Sequence, residues 1–229
     1  MASAAVPATP KDAATSIPEL RFEVRGASSL DYAAVPTIAF ALAIEVPGER
    51  QIRSLLLDVQ IQIAARQRAY TPQSQERLLE LFGTPERWRS TLRTLPWTRT
   101  TVVVPPFCGA TVAEVPVACT YDLEVTASRY LAALHDDDDG EVPLELLLSG
   151  TVFFATATGA LQATRIAWDH ELDYRMPVAV WRAAMDRHFP NSAWLRLSRA
   201  QFDRLWAYRS RHALTSWDAT LDALLGEGE

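Results

Sequence analysis

The chain has 229 residues, 48% of them hydrophobic and 22% charged, with a formal net charge of −6. A chain of that length buries roughly 70% of its unfolded surface, so its core needs no disulfide or metal staple. The acidic balance argues against a dedicated nucleic-acid binder, which needs surplus cations to neutralise phosphates. The one lysine, Lys11, against 21 arginines reads as base composition before function.

The opening MASAAVPATPKDAATSIPE lacks a basic stretch followed by an apolar run, so it does not read as a signal peptide. Its small and proline-bearing composition predicts a disordered tail over 1–17. The longest apolar run, Tyr32 to Ile44, is interrupted by Pro36 and is too short to cross a bilayer. These features predict a soluble, cytoplasmic protein with no membrane insertion, whose two cysteines stay reduced.

From 18 to 176 the dominant hydrophobic period is two. LRFEV (20–24) reads as a first strand. In TIAFALAIEV, Ile38, Phe40, Leu42 and Ile44 share one face while Ala39, Ala41 and Ala43 share the other. Leu57, Val59, Ile61 and Ile63 alternate with Asp58, Gln60 and Gln62, as in a half-buried strand. A helical insertion at 72–95 follows, with Thr71-Pro72 and Thr84-Pro85 as starts, Gly83 as a stop and Pro96 as the end. TTVVVP (100–105) predicts the fourth strand.

Ala113, Val115, Val117, Cys119, Tyr121, Leu123 and Val125 form the inward face of a fifth strand, and 126–140 reads as a short helix running into an acidic loop. Segments 144–155 and 161–176 are strands joined by a turn at Thr158-Gly159. The predicted fold is α+β and mainly β: an antiparallel β-sandwich of about seven strands with an inserted helical pair. After Met176 the period changes to 3.6, predicting a C-terminal three-helix segment over 177–226, packed on or beside the sandwich. Val178, Trp181, Met185 and Phe189 form one stripe. Ser198 and Gln201 form a capping pattern, and Ser216 caps a helix carrying Trp217, Leu221, Leu224 and Leu225.

Few of these residues suggest chemistry. Cys119 lies on an apolar strand face, where a thiol behaves as a small hydrophobe, and Cys108 belongs to the turn after Pro105-Pro106-Phe107. On one extended strand they would stand about 30 Å apart, whereas a disulfide needs Cα atoms within about 7 Å. HDDDDGE (135–141) fails the EF-hand pattern, because position 5 from Asp136 is already Gly140 and position 12 is Leu147. Asp169 and His170 are adjacent, and neighbouring strand residues point to opposite faces, so they form no catalytic dyad within that strand. Asp169, Glu171 and Asp173 form a carboxylate row read as a solvated face. No catalytic residue, metal ligand or cofactor is assigned.

The C-terminal stretch is the suggestive one. Residues 180–229 carry seven arginines against six acids, while residues 1–179 sit near −7. Trp194, Arg196, Arg199, Trp206, Tyr208 and Arg209 are candidate partner-binding residues, since tryptophan and arginine dominate interfaces. The competing reading is that the tryptophans pack these helices onto the sandwich with the arginines in solvent.

IPELRFEVRGA, YTPQSQERLLELFGTPERW, PWTRTTVVVPPFCG, CTYDLEV and PVAVWRAAMDRHFPNSAWLRL occur here in the order found in one uncharacterised, mainly actinobacterial domain family. The chain resembles that family over about residues 17–226. Its genes are often found among those of actinobacterial-type, oxygen-insensitive nickel–iron hydrogenases and their maturation factors. The resemblance implies a non-catalytic accessory protein, an assembly factor or added subunit, with hydrogenase subunits or maturation proteins as partners; it transfers no catalytic residue. Two alternatives stand beside it: a small-ligand- or lipid-binding sandwich using the space beside Ala39, Ala41 and Ala43, and a cysteine- or metal-dependent hydrolase. The last is weakest, since no nucleophile-elbow, phosphate-loop, HExxH or CxxC pattern occurs.

Overall fold

A computed structural model describes residues 17–226 apart from 49, 121, 123–124, 135–139, 157 and 193, and apart from the side chain of Trp168. Residues 1–16 of the tail expected over 1–17, the acidic run Asp136–Asp139 and the strand positions Tyr121 and Leu123 lie outside the described residues, while Ile17 is described. Two compact units make up the chain, Met1–Ser192 and Ala193–Glu229.

The first unit is built on strands β1 (Arg21–Ser29), β2 (Thr37–Glu45), β3 (Gln51–Ile63), β4 (Leu95–Val104), β5 (Phe107–Cys108), β6 (Ala110–Ala118), β7 (Glu141–Ala155) and β8 (Leu161–Pro177). They form a three-stranded antiparallel sheet, β1-β2-β6, and a five-stranded one, β4-β3-β7-β8, with β5 paired to the start of β3. The protein is thus mainly β, two antiparallel sheets with added helices. Period-two alternation explains why the sheets stack. On β3, Leu55, Leu57, Val59, Ile61 and Ile63 are buried while Asp58, Gln60 and Gln62 are half-exposed. On β2, Ile38, Phe40, Leu42 and Ile44 are buried, and Phe40 crosses to the other sheet, edge-on to Trp97 (6.2 Å) and Tyr174 (6.0 Å). Each such side chain contributes about 1.5–3 kcal/mol by leaving water. The alanine face of β2 therefore points away from the opposite sheet, flanked by Glu23, Gly26 and Ser28 on β1 and by Val112, Glu114 and Pro116 on β6.

Helices fill the connections at one end of the sandwich. Between β3 and β4 lie α1 (Pro72–Arg77), α2 (Leu79–Phe82) and α3 (Trp88–Thr91). Thr71 Oγ1 accepts the Ser74 amide at 3.1 Å to cap α1, Pro72 supplies the first helical position, and Gly83 at φ +72° ends α2. The helix expected to run to Pro96 stops at Thr91. Leu95 is instead buried opposite Ile63, and Pro96, with no amide to donate, sits beside the irregularity between Ile61 and Gln62 on edge strand β4. Between β6 and β7 lies α4 (Thr126–Ala133), and after β8 comes α5 (Val178–His188). In α5, Val178, Trp181, Ala184 and Met185 are buried, as the expected stripe requires, and His188 Nε2 lies 3.0 Å from the Ala33 carbonyl oxygen in the β1–β2 loop.

Tyr70, Phe82, Trp88 and Tyr130 meet edge-to-face at this end, with ring centroids 5.1–6.3 Å apart. The Tyr70 hydroxyl donates to the Ala65 carbonyl at 2.6 Å, so the buried Tyr130 hydroxyl donates to Tyr70 across 2.9 Å. Burial raises the pKa of both phenols. Tyr130 is therefore a neutral structural donor.

The second unit holds α6 (Arg199–Arg211) and α7 (Trp217–Gly226), capped by Ser198, which accepts from the Gln201 amide at 3.3 Å, and Ser216, which accepts from the Ala219 amide at 3.0 Å. Of the three helices expected over 177–226, the first shares a unit with the sandwich and the other two form their own.

Candidate functional site

The second unit carries the residues singled out for partner binding, and the structure gives them unequal tasks. Phe202, Trp206 and Trp217 form a ring cluster with centroids 5.7–6.0 Å apart. Arg209 lies over Trp217 at 4.6 Å and Trp206 at 6.0 Å, and donates from Nε to Leu214 O (3.2 Å) and from Nη2 to Thr215 O (2.8 Å). It staples the turn between α6 and α7 from inside the unit. Arg199 pairs with Asp203 one helical turn away, at 3.0 Å, and Tyr208 stacks on His212 at 4.3 Å. Trp194 and Arg196 precede α6.

This unit also leaves large apolar side chains open beside its exposed charges. Trp194 is 65% exposed, Leu195 73%, Trp206 53% and Leu225 73%, with Leu197, Leu221 and Leu224 also exposed. None of the described residues of α6 is buried. The Leu221–Leu224–Leu225 stripe, which the 3.6-residue period marks as core, therefore faces outward. The same period marks an inward and an outward stripe alike, so the sequence signal for these leucines was present and its direction was not. Packing these groups against a partner is the chemistry this surface supports, since side chains of these types dominate interface energetics.

The cysteines are free and separate. Cys119 is buried, its Sγ 3.7 Å from the Val117 carbonyl oxygen, and burial pushes its thiol up to about 12. It is not a thiolate nucleophile at neutral pH. Cys108, expected in a turn, is exposed on the two-residue β5 opposite Gln51, because the chain after Pro106 extends far enough to add a ladder pair to β3. Iodoacetamide should therefore modify Cys108 in the native protein, and Cys119 only after denaturation; mass spectrometry of tryptic peptides reads both, and rapid native labelling of Cys119 would contradict its burial.

On the five-stranded sheet, His170, Leu172 and Tyr174 face inward and Asp169, Glu171 and Asp173 outward, as the alternation requires. His170 is edge-on to Phe22 at 5.1 Å. Glu145, beside this carboxylate row, has its pKa raised by burial and then by Glu171 and Asp173. Further along, the β7–β8 ladder shifts: Leu148 pairs with His170 and Gly150 with Ile166, so Ala167–Asp169 face the single residue Ser149. This bulge opens a cleft of about 860 Å³ lined by Ile17–Leu20, Asp58, Arg99, Ser149, Gly150, Val152, Arg165–Ala167, Asp169 and His170. Arg99 holds Asp58 in a fork-like pair that keeps the Asp58 carboxyl below its ordinary pKa. The pair's small, solvent-screened contribution is present at neutral pH and fades as the pH falls through that lowered value. Among the described residues, no group of three or more His, Cys, Asp or Glu side chains is arranged to hold a metal ion, and no helix is long and apolar enough to cross a membrane.

A family model described as "Family of unknown function (DUF6084)" matches residues 17–229. The chain belongs to that family. No curated protein matches this DUF6084 chain. Among solved structures it is similar to the ApaA protein from Bordetella pertussis, at 12% identity over 70% of this chain and 95% of that one, with a TM-score of 0.27. It is also similar to a late embryogenesis abundant (LEA) protein, at 12% identity over 73% and 76% of the two chains, with a TM-score of 0.28. A beta-glucosidase from Kluyveromyces marxianus matches at 11% identity over 69% of this chain and 15% of that one, with a TM-score of 0.24. Likeness at these scores carries nothing about the DUF6084 chain's fold or activity.

Proposed function

We propose that this protein is a non-catalytic accessory factor of nickel–iron hydrogenase in the cytoplasm of actinobacterial-type hosts, either an assembly factor or an added subunit. In this reading it docks on hydrogenase subunits or maturation proteins through residues 194–226. The observation that carries the reading is the exposed apolar set Trp194, Leu195, Leu197, Trp206 and Leu225 on a unit with few buried residues of its own. Small units of this kind gain most by burying such a surface against another protein. The choice of partner rests on the gene neighbours of the family the sequence resembles. The burial of Cys119 favours a binding role over cysteine chemistry at that thiol.

The test is affinity purification of the tagged full chain from its own host while hydrogenase is expressed, followed by gel filtration and mass spectrometry. A stoichiometric hydrogenase subunit or a lone immature one is the expected result, the first meaning a structural subunit and the second an assembly factor. Recovery of the chain by itself overturns the hydrogenase assignment.

A further inference from the structure

The cleft at the β7–β8 bulge lies in the first unit and owes nothing to the docking surface of the second. Arg165 and Asp169 line it, and neither makes a hydrogen bond or ion pair among the described residues. His170 in the same wall is edge-on to the Phe22 ring at 5.1 Å and makes no hydrogen bond or ion pair among the described residues. Asp58 and Arg99 neutralise one another. Glu19, also in the lining, pairs with Arg21 at 3.3 Å, so among the described residues the lining leaves one unpaired cation and one unpaired anion, four residues apart on β8, with the buried side chains of Leu20, Val152 and Ile166 in the same lining.

Two further features narrow what fits. Strand β8 is the last strand of its sheet, so one row of its main-chain groups has no ladder partner there, and the bulge removes Ala167–Asp169 from the pairing on the other side. An extended chain can take up such groups by lying along the edge. Four residues of strand span at most about 13 Å, shortened by a bulge, and three extended residues span about 10 Å. The cleft volume lies within the usual range for small-ligand sites, roughly 300–1,000 Å³.

We infer that this cleft binds a short peptide of two or three residues with both ends free, its carboxylate at Arg165 and its ammonium at Asp169. The peptide runs antiparallel to β8. A carboxylate on a free guanidinium is a charge-assisted pair, and removing either charge costs about tenfold or more in affinity.

The experiment is an NMR titration of the ¹⁵N-labelled full chain with the tripeptide Ala-Leu-Ala, its N-acetylated form and its C-amidated form. The expected result is saturable shifts at the amides of 149–150 and 165–170 with the free peptide, and binding about tenfold weaker with each blocked one. In Arg165→Gln the C-amide should bind as well as the free peptide; in Asp169→Asn the N-acetyl form should. Both side chains are exposed, so both variants should melt with the wild type. Absence of saturable shifts at these amides, equal binding of free and blocked peptides, or variants that fail to fold would each overturn the inference.

Discussion

Gly150→Ala is expected to destabilise the sandwich by more than about 4 kcal/mol, in the range reserved for steric conflicts the backbone cannot relieve. A Cβ on Gly150 would stand 2.1 Å from the Leu56 carbonyl oxygen, 3.1 Å from its carbon and 3.2 Å from the Leu57 Cα. All three are main-chain atoms, and the φ of +148° is itself one that side-chain-bearing residues avoid. The residue pairs with Leu57 on β3 and with Ile166 on β8, at the point where the β7–β8 register shifts. Relief requires β3 and β7 to part along one of the longest ladders of the fold. Two other glycines grade the effect. Gly159 in the β7–β8 turn has φ +83° and open space around it, so Gly159→Ala should lose only about 1 kcal/mol to backbone strain. Gly26 has open space and no positive φ, so Gly26→Ala should be near neutral. Urea unfolding of the three variants checks the order, and a Gly150→Ala protein as stable as Gly26→Ala would contradict the close approach.

The second large effect is expected at Arg209. Arg209→Gln removes the guanidinium from Trp217 and two charged hydrogen bonds to the carbonyls that turn α6 into α7. Hydrogen bonds from charged groups contribute about 1.5–3 kcal/mol each and an exposed cation–π contact about 0.5–1 kcal/mol, so a loss of about 2–3 kcal/mol is a fair sum after solvent screening. A two-helix unit of this size is itself worth only a few kcal/mol. The amides of 199–226 should therefore lose their hydrogen-exchange protection while those of β3 keep theirs. Arg204→Gln, which among the described residues gives up a bond to the neighbouring Gln201 side chain at 3.1 Å, should leave both unchanged. Undiminished protection in Arg209→Gln would mean that the turn does not depend on the staple.

Strand faces were legible wherever a side chain's neighbours alternate along its own strand. Ile38 to Ile44 and Leu57 to Ile63 needed nothing from elsewhere in the chain. The bulge was not legible, because Gly150 sits in an ordinary apolar run and its conflict is with Leu56, 94 positions earlier in the chain. Pro96 reads as a helix stop in isolation and is an edge-strand residue only because Ile63 takes Leu95 as a partner. The continuation of β1 to Ser29 was hidden by the register shift between Val24 and Gly26, which breaks the alternation. At the candidate docking surface, the sequence marked the right residue types but not their work. Arg209 and Arg199 look alike as letters, yet one staples a turn and the other pairs on a solvated helix face. That division depends on where Trp217 and the 214–215 carbonyls come to rest.

The claim that residues 194–226 form the docking surface is tested most directly by co-purification with Trp194→Ala and Leu225→Ser combined. Both side chains are mostly exposed, so the melt and the exchange protection of α6 should match the wild type. The account predicts that recovery of the hydrogenase component falls about tenfold or more with the fold intact, as for loss of an interface anchor. Undiminished recovery from the intact double variant would contradict it.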